Sequence, residues 1–204
     1  VGTSLTIIIP TGISSARAHI KKNGVRFDLV KRIGIGIVLG VGVGTFVADY
    51  ISGQNLKIVF SCALMVFAAI MQIDPQKFRL CDDVPPQPWS GMAGGLIGIL
   101  SSLMGIGGAT LNVPYMSLHG VPIHTAVGTS SAMGPLIAIP GAIGFIWIGW
   151  GLDHLPPYSL GYVNLLAALA IMPISVLCAP WGARVAHRVS VKKLRLVFSV
   201  FIIL

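Results

Sequence analysis

Two short stretches of this chain carry residue types that could hold a small solute. The first is Ser101-Ser102-Leu103-Met104-Gly105-Ile106-Gly107-Gly108-Ala109-Thr110-Leu111-Asn112-Val113-Pro114. Its glycines let the backbone leave helical angles. A helix restarting just after them would face the gap with free N–H groups and the positive end of its dipole. That chemistry makes an anion site without a cationic side chain. The second stretch is Thr129-Ser130-Ser131, a run of hydroxyls followed by Pro135 and Pro140, where helix breaks are expected. Thr3 and Ser4 are its counterparts near the start. The substrate-contacting candidates are therefore Ser101, Ser102, Gly105, Gly107, Gly108, Asn112, Thr129, Ser130, Ser131, Thr3 and Ser4, with Asn112 as a site-lining amide.

Other chemistries are poorly supplied. The deep polar residues are hydroxyls and one Asn, so no nucleophile–base–acid set is clustered and no catalytic residue is expected. The glycine cluster lacks the Lys-Ser/Thr ending and the preceding strand of a phosphate loop. Cys62, Cys81 and Cys178 share no metal-ligand spacing, so neither a metal nor a cofactor is expected. Asp49 and His124 are candidates for proton coupling. For Asp49, which falls near a membrane end, solvated capping competes with that role. For His124, which with His119 flanks the turn after the glycine cluster, a loop role competes.

The elements that must position these residues are membrane helices. Hydrophobic residues make up 54% of the chain and charged residues 10%, against about 25% charge in soluble domains. Ile33 to Ala48, Ala126 to Trp150 and Val163 to Ala183 contain no charge, and Leu56 to Ile73 holds only Lys57. Each is about long enough to cross a hydrocarbon core as a helix. Strand-sized alternation is missing, which disfavours a membrane barrel. Gly36, Gly40 and Gly44 form a small-xxx-small face suited to close helix packing.

The chain also repeats itself. Gly44 to Ser61 (GTFVADYISGQNLKIVFS) matches Gly182 to Ser199 (GARVAHRVSVKKLRLVFS) at eight positions, and VGTS occurs at Val1 to Ser4 and again at Val127 to Ser130. The net charge of +8 is concentrated in Arg17 to Arg32, with six Lys/Arg, and Arg184 to Arg195, with five. By the positive-inside rule both face the cytoplasm, while Ser52 to Asn55 and Gly151 to Gly161 face outward. Equivalent loops of the two copies thus fall on opposite sides, so the copies are inverted. Parity requires one apolar segment to enter and leave on the same side. Trp89 to Leu118, broken at Gly105 to Gly108, is the best candidate, because non-helical backbone is tolerated at that depth only where it lines a cavity or is buried in protein. Trp147, Trp150, Tyr158 and Tyr162 flank the outer loop, and Trp89 and Trp181 lie near inner ends, as interface anchors should.

The expected fold is all-α: a polytopic membrane helix bundle of two inverted repeats with broken or re-entrant helices. Residues 1–204 form a single membrane domain, with a first repeat at 1–73, a cytoplasmic linker at 74–88 and a second repeat at 89–204. By repeat logic the first copy lacks a front element and the second lacks about two turns at its end. The basic charge is used up in loops beside the membrane, which excludes a nucleic-acid partner. The expected partners are a small anionic substrate, the lipid bilayer and, as an open option, a second copy in a homo-oligomer.

At these residues the chain resembles the sulfite exporter TauE/SafE family of membrane permeases. The matching features are GIGGATLNVP at Gly105 to Pro114, HTAVGTSSA at His124 to Ala132, VGTSL at Val1 to Leu5, and the basic loop around His19 to Gly24. The family pattern places a glycine-rich break followed by a Pro, then A-x-G-T-S, in each half. Here Ala109 replaces the third adjacent glycine, and the first half keeps only its GTS element. The resemblance implies a multi-pass permease of the bacterial inner membrane that moves sulfite, an organosulfonate or a related small anion. Two rivals stay open on the residues alone: a membrane-embedded enzyme using Ser and His, and a scaffold assisting a sulfur or metal pathway.

Overall fold

A computed structural model describes residues 1–51, 83–152 and 155–189, with single positions between 54 and 81. The apolar run Leu56 to Ile73, most of the linker expected at 74–88 and the end of the expected second repeat lie outside the described residues. Within them the chain is an all-α membrane helix protein. Helix α1 spans Gly2–Ile20, α2 Phe27–Tyr50, α3 Trp89–Met104, α4 Ala109–Leu118, α5 Ile123–Ile148 and α6 Leu165–Arg188. Three of them, α2, α5 and α6, are long and apolar enough to cross a bilayer. The sequence did not announce the two-residue strands β1 (Ser159–Leu160) and β2 (Val163–Asn164). They form a small hairpin ahead of α6, and the Asn164 side chain caps that helix by accepting the Ala167 N–H at 2.9 Å.

Contacts between helices fix their directions. Gly36, Gly40 and Gly44 of α2 meet Gly91, Gly95 and then Ile99 and Ser102 of α3, so the two helices run parallel. Helix α1 meets α5 in reverse order: Gly2 lies against Phe145, Gly12 against Pro135, and Ser15 against Ser131. Helix α6 runs with α1, through Thr3 to Asn164 and Ser14 to Val176. Helix α2 runs with α5, since Gly34 meets Leu136 and Thr45 meets Gly144. Hence α1, which carries the first VGTS, is antiparallel to α5, which carries the second.

The glycine cluster does break its segment. Helix α3 has 16 residues and α4 has 10, or about 24 and 15 Å of rise, and neither alone spans a core of about 30 Å. Gly107 and Gly108 sit beside Gly134 and Ile137, near the middle of α5. Helix α4 then returns to the end where α5 begins, which is also the end where α3 began. The segment is re-entrant, as parity requires.

Every Lys and Arg whose side chain is described lies at that same end, near the C-termini of α1 and α6 and the N-terminus of α2. Trp89 and Trp181 belong to this basic end, whereas Trp147, Trp150 and the hairpin tyrosines mark the far one. The apolar core draws on residues from before position 74 and after position 88: Leu5, Ile33, Ile37 and Val41 pack with Met116, Met133 and Ile137. The closest packing is α2 on α3, then α1 on α5, α1 on α6 and α2 on α5. Each of these pairs a helix from before residue 74 with one from after residue 88, so the two segments interleave.

Candidate functional site

The break is held open by two left-handed glycines. Gly105, with φ 69°, ends α3, and its N–H returns to the Ser101 carbonyl. The Ile106 N–H bonds the same oxygen at 3.2 Å. Gly108, with φ 72°, begins α4, and its carbonyl accepts the N–H groups of Leu111 and Asn112 at 3.1 and 2.8 Å. Residues with a Cβ adopt this conformation at a cost of about 1–2 kcal/mol. No side chain caps α4, so the first amides of its opening turn, beside the break, have no intrahelical acceptor. Ala109 at that turn is exposed.

Beside these amides sit polar atoms without a partner. Ser101 and Asn112 are both 0% exposed. Among the described residues, Ser101 Oγ and Asn112 Nδ2 and Oδ1 find no hydrogen bond. A side chain added at Gly108 would come within 3.0 Å of Asn112 Nδ2 and 3.6 Å of Ser101 Oγ, so both orphaned groups border the break. An unsatisfied buried polar group costs about 1–3 kcal/mol, and a folded protein retains one only for a reason. The arrangement supplies donors from two elements, converging near mid-depth, with no cation among them.

The Thr129-Ser130-Ser131 run divides among three neighbours. Thr129 Oγ1 accepts the Arg26 backbone N–H at 3.0 Å, fastening α5 to the loop before α2. Ser131 Oγ donates to the Val127 carbonyl at 2.9 Å and receives the Ser15 hydroxyl at 3.2 Å. Ser130 alone shares a helical face with Gly134 and Ile137, four and seven residues on, and its buried Oγ has no partner. It therefore faces the break from about one turn nearer the basic end. Ser102 Oγ bonds its own helix at Ile99 and lies against Gly44. Thr3 Oγ1 accepts the Asn164 N–H at 2.9 Å in the hairpin contact, and Ser4 is exposed. Asp49 is exposed in the last turn of α2, whereas His124 is half-buried in the first turn of α5, at the opposite end.

Reading the sequence alone missed two further orphaned hydroxyls, Ser90 and Ser117, and the α3 glycines that receive α2. The fourfold spacing of Gly91 and Gly95, and of Gly94 and Gly98, was the available signal for the latter.

A family model described as "Sulfite exporter TauE/SafE" matches residues 1–204. The chain belongs to this family. Among curated proteins, a probable membrane transporter protein of Haemophilus influenzae is 35% identical over 208 residues, covering 100% of this chain and 77% of the relative. One from Bacillus subtilis is 29% identical over 227 residues, with 100% and 77% coverage. Another from Methanocaldococcus jannaschii is 27% identical over 200 residues, with 98% and 74% coverage. No solved structure matches. The family and the relatives' names indicate a membrane transporter, which would meet a small substrate and the lipid bilayer.

Proposed function

We propose that this transporter carries a small oxyanion, sulfite or an organosulfonate, bound at the glycine break and released by alternating access. One observation carries the reading. The opening turn of α4 presents its amides near mid-depth beside the orphaned Ser101 and Asn112 side chains. Broken helices near the midplane are where transporters bind solutes. A charged carrier group would hold an anion tightly, whereas dipoles and hydroxyls hold it weakly enough to let go.

The two matched segments, 1–73 and 89–204, are read as inverted copies joined by the 74–88 linker. The antiparallel course of α1 and α5, and of α2 and α6, supports that reading. So does the collection of described cations at one end, cytoplasmic by the positive-inside rule. Because helices of the two copies interleave, the moving bodies are the tightly seamed α2–α3 pair and the α1–α5–α6 group. Asp49 and His124 stand at opposite ends of the bundle, each away from the break.

Flux of labelled sulfite and of a sulfonate into vesicles holding the intact protein tests the proposal. Movement of either, lost in Ser101→Ala and Asn112→Leu variants that still fold, is the expected result. No movement of either anion, or wild-type flux in both variants, would sink it.

A further inference from the structure

The basic end holds a feature that substrate binding does not use. An open cleft of about 590 Å³ lies between α1 and α6. Its deeper walls are Pro10, Ile13, Val176 and Pro180, and its rim carries Arg17, Lys21, Lys22 and Arg184, with no acid in the lining. The Ser14 hydroxyl donates to the Val176 carbonyl at 3.1 Å and ties the two helices there. Among the described residues, the ion pairs belong to Arg26, which takes Asp28 at 2.6 Å and Asp83 at 3.1 Å. The acids described at this end are thereby taken up, and the rim cations keep their charge for a ligand. Beside the cleft, α6 turns Leu177 and Trp181 outward at 71% and 69% exposure. The Arg184 guanidinium lies 5.1 Å from the Trp181 ring centroid, the pairing expected where hydrocarbon gives way to headgroups.

We propose that this cleft binds one anionic phospholipid of the cytoplasmic leaflet. The phosphate rests among Arg17, Lys21, Lys22 and Arg184, and an acyl chain runs along Pro10, Ile13 and Val176. The cleft's own gradient, apolar inside the bundle and cationic at its end, matches the gradient of a lipid from tail to headgroup. A soluble anion would use the rim and leave the apolar wall unsatisfied. A zwitterionic lipid brings its own cation into a rim that already has four. Basic pockets between membrane helices on the cytoplasmic side recognise anionic headgroups on this principle.

Native mass spectrometry of the full chain, titrated with phosphatidylglycerol and with phosphatidylcholine of matched chains, tests the proposal. One phosphatidylglycerol should bind with at least about tenfold preference, given a substantial contribution from each cation near the headgroup. Arg17→Gln/Lys21→Gln/Lys22→Gln should erase the preference, while Lys31→Gln/Arg32→Gln, equal in kind but outside the cleft, should keep it. Arg184→Gln, on the other wall, should lower it severalfold and serves if the triple variant does not fold. Equal affinity for the two lipids, or the same loss in the Lys31/Arg32 variant, overturns the site. Displacement of phosphatidylglycerol by millimolar inorganic phosphate assigns the rim to a soluble anion and overturns the lipid. None of these readouts depends on which solute the protein transports.

Discussion

Glycine does opposite work in the α2–α3 seam and in the α3–α4 break. In the seam, Gly36 and Gly40 keep ordinary helical angles, and a Cβ at either would overlap the carbonyl oxygen of Gly91 or Gly95. Their missing side chains let two backbones touch, which is how membrane helices gain dispersion energy where no hydrophobic effect acts between them. In the break, Gly105 and Gly108 take left-handed angles and separate one helix from the next. Buried polar atoms beside them are left without partners. The first region gives up side chains for cohesion. The second gives up cohesion for a gap between two short helices, the place proposed for the solute.

Substitutions can break or sharpen that contrast. The largest effect is expected at the break: Gly108→Ala faces both its positive φ and the Ile137 side chain. Solute flux should fall to background, with about 1–2 kcal/mol of backbone strain visible as a lowered melting temperature. Flux at wild-type level would mean that the open turn is not needed. In the seam, Gly40→Ala should cost about 1–3 kcal/mol by overpacking. Gly42→Ala, two residues away with nothing within 4 Å, should be neutral or slightly stabilising by its better helix propensity. Equal melting temperatures for these two variants would remove the packing role.

Ser101→Ala should separate the regions most cleanly. It deletes an unsatisfied buried hydroxyl, so thermal stability should hold or rise by up to about 1 kcal/mol while flux drops. A matched fall in both would make Ser101 structural. Thr129→Val removes the acceptor for the Arg26 N–H and should lower stability by about 1 kcal/mol, with less effect on flux than Ser130→Ala.

The smallest effect concerns the clasp between Asp83 and Arg26, in the loop before α2. The hydrogen bond from the Arg26 guanidinium holds the Asp83 carboxyl below its ordinary range. Its contribution is present above the unfolded carboxylate pKa and is lost as pH falls through the depressed folded value. The pair is exposed, so Asp83→Asn should cost no more than about 1 kcal/mol at neutral pH. The difference from wild type should fade with added salt and under strong acid. A difference that persisted in both would place the loss elsewhere than in this ion pair.

Much of the architecture was legible in the residues, and for physical reasons. Spans are written in hydropathy because lipid tolerates few charges. The break is written in Gly105 to Gly108 because only glycine takes those angles cheaply. Parity turned loop charge into a re-entrant segment without any knowledge of packing. The division of Thr129, Ser130 and Ser131 was not legible. Adjacent helical residues point about 100° apart, and which neighbour each meets is decided by tertiary contacts. Nor did the sequence reveal that helices from before residue 74 interleave with those from after residue 88, since repeat matching orders segments along the chain and not in space. The orphaning of Ser90 and Ser117 depends likewise on what fails to approach them.

The shortness of α4 has an electrical consequence. Ten residues carry the chain only about half way through the hydrocarbon, so a charge resting at Gly108 would sit at about half the membrane potential. At about 2.3 kcal/mol per charge per 100 mV for a full crossing, that depth alone would change the occupancy of a monovalent solute about sevenfold for each 100 mV. A carrier built this way would be tuned by voltage as well as by concentration, without a single gating arginine.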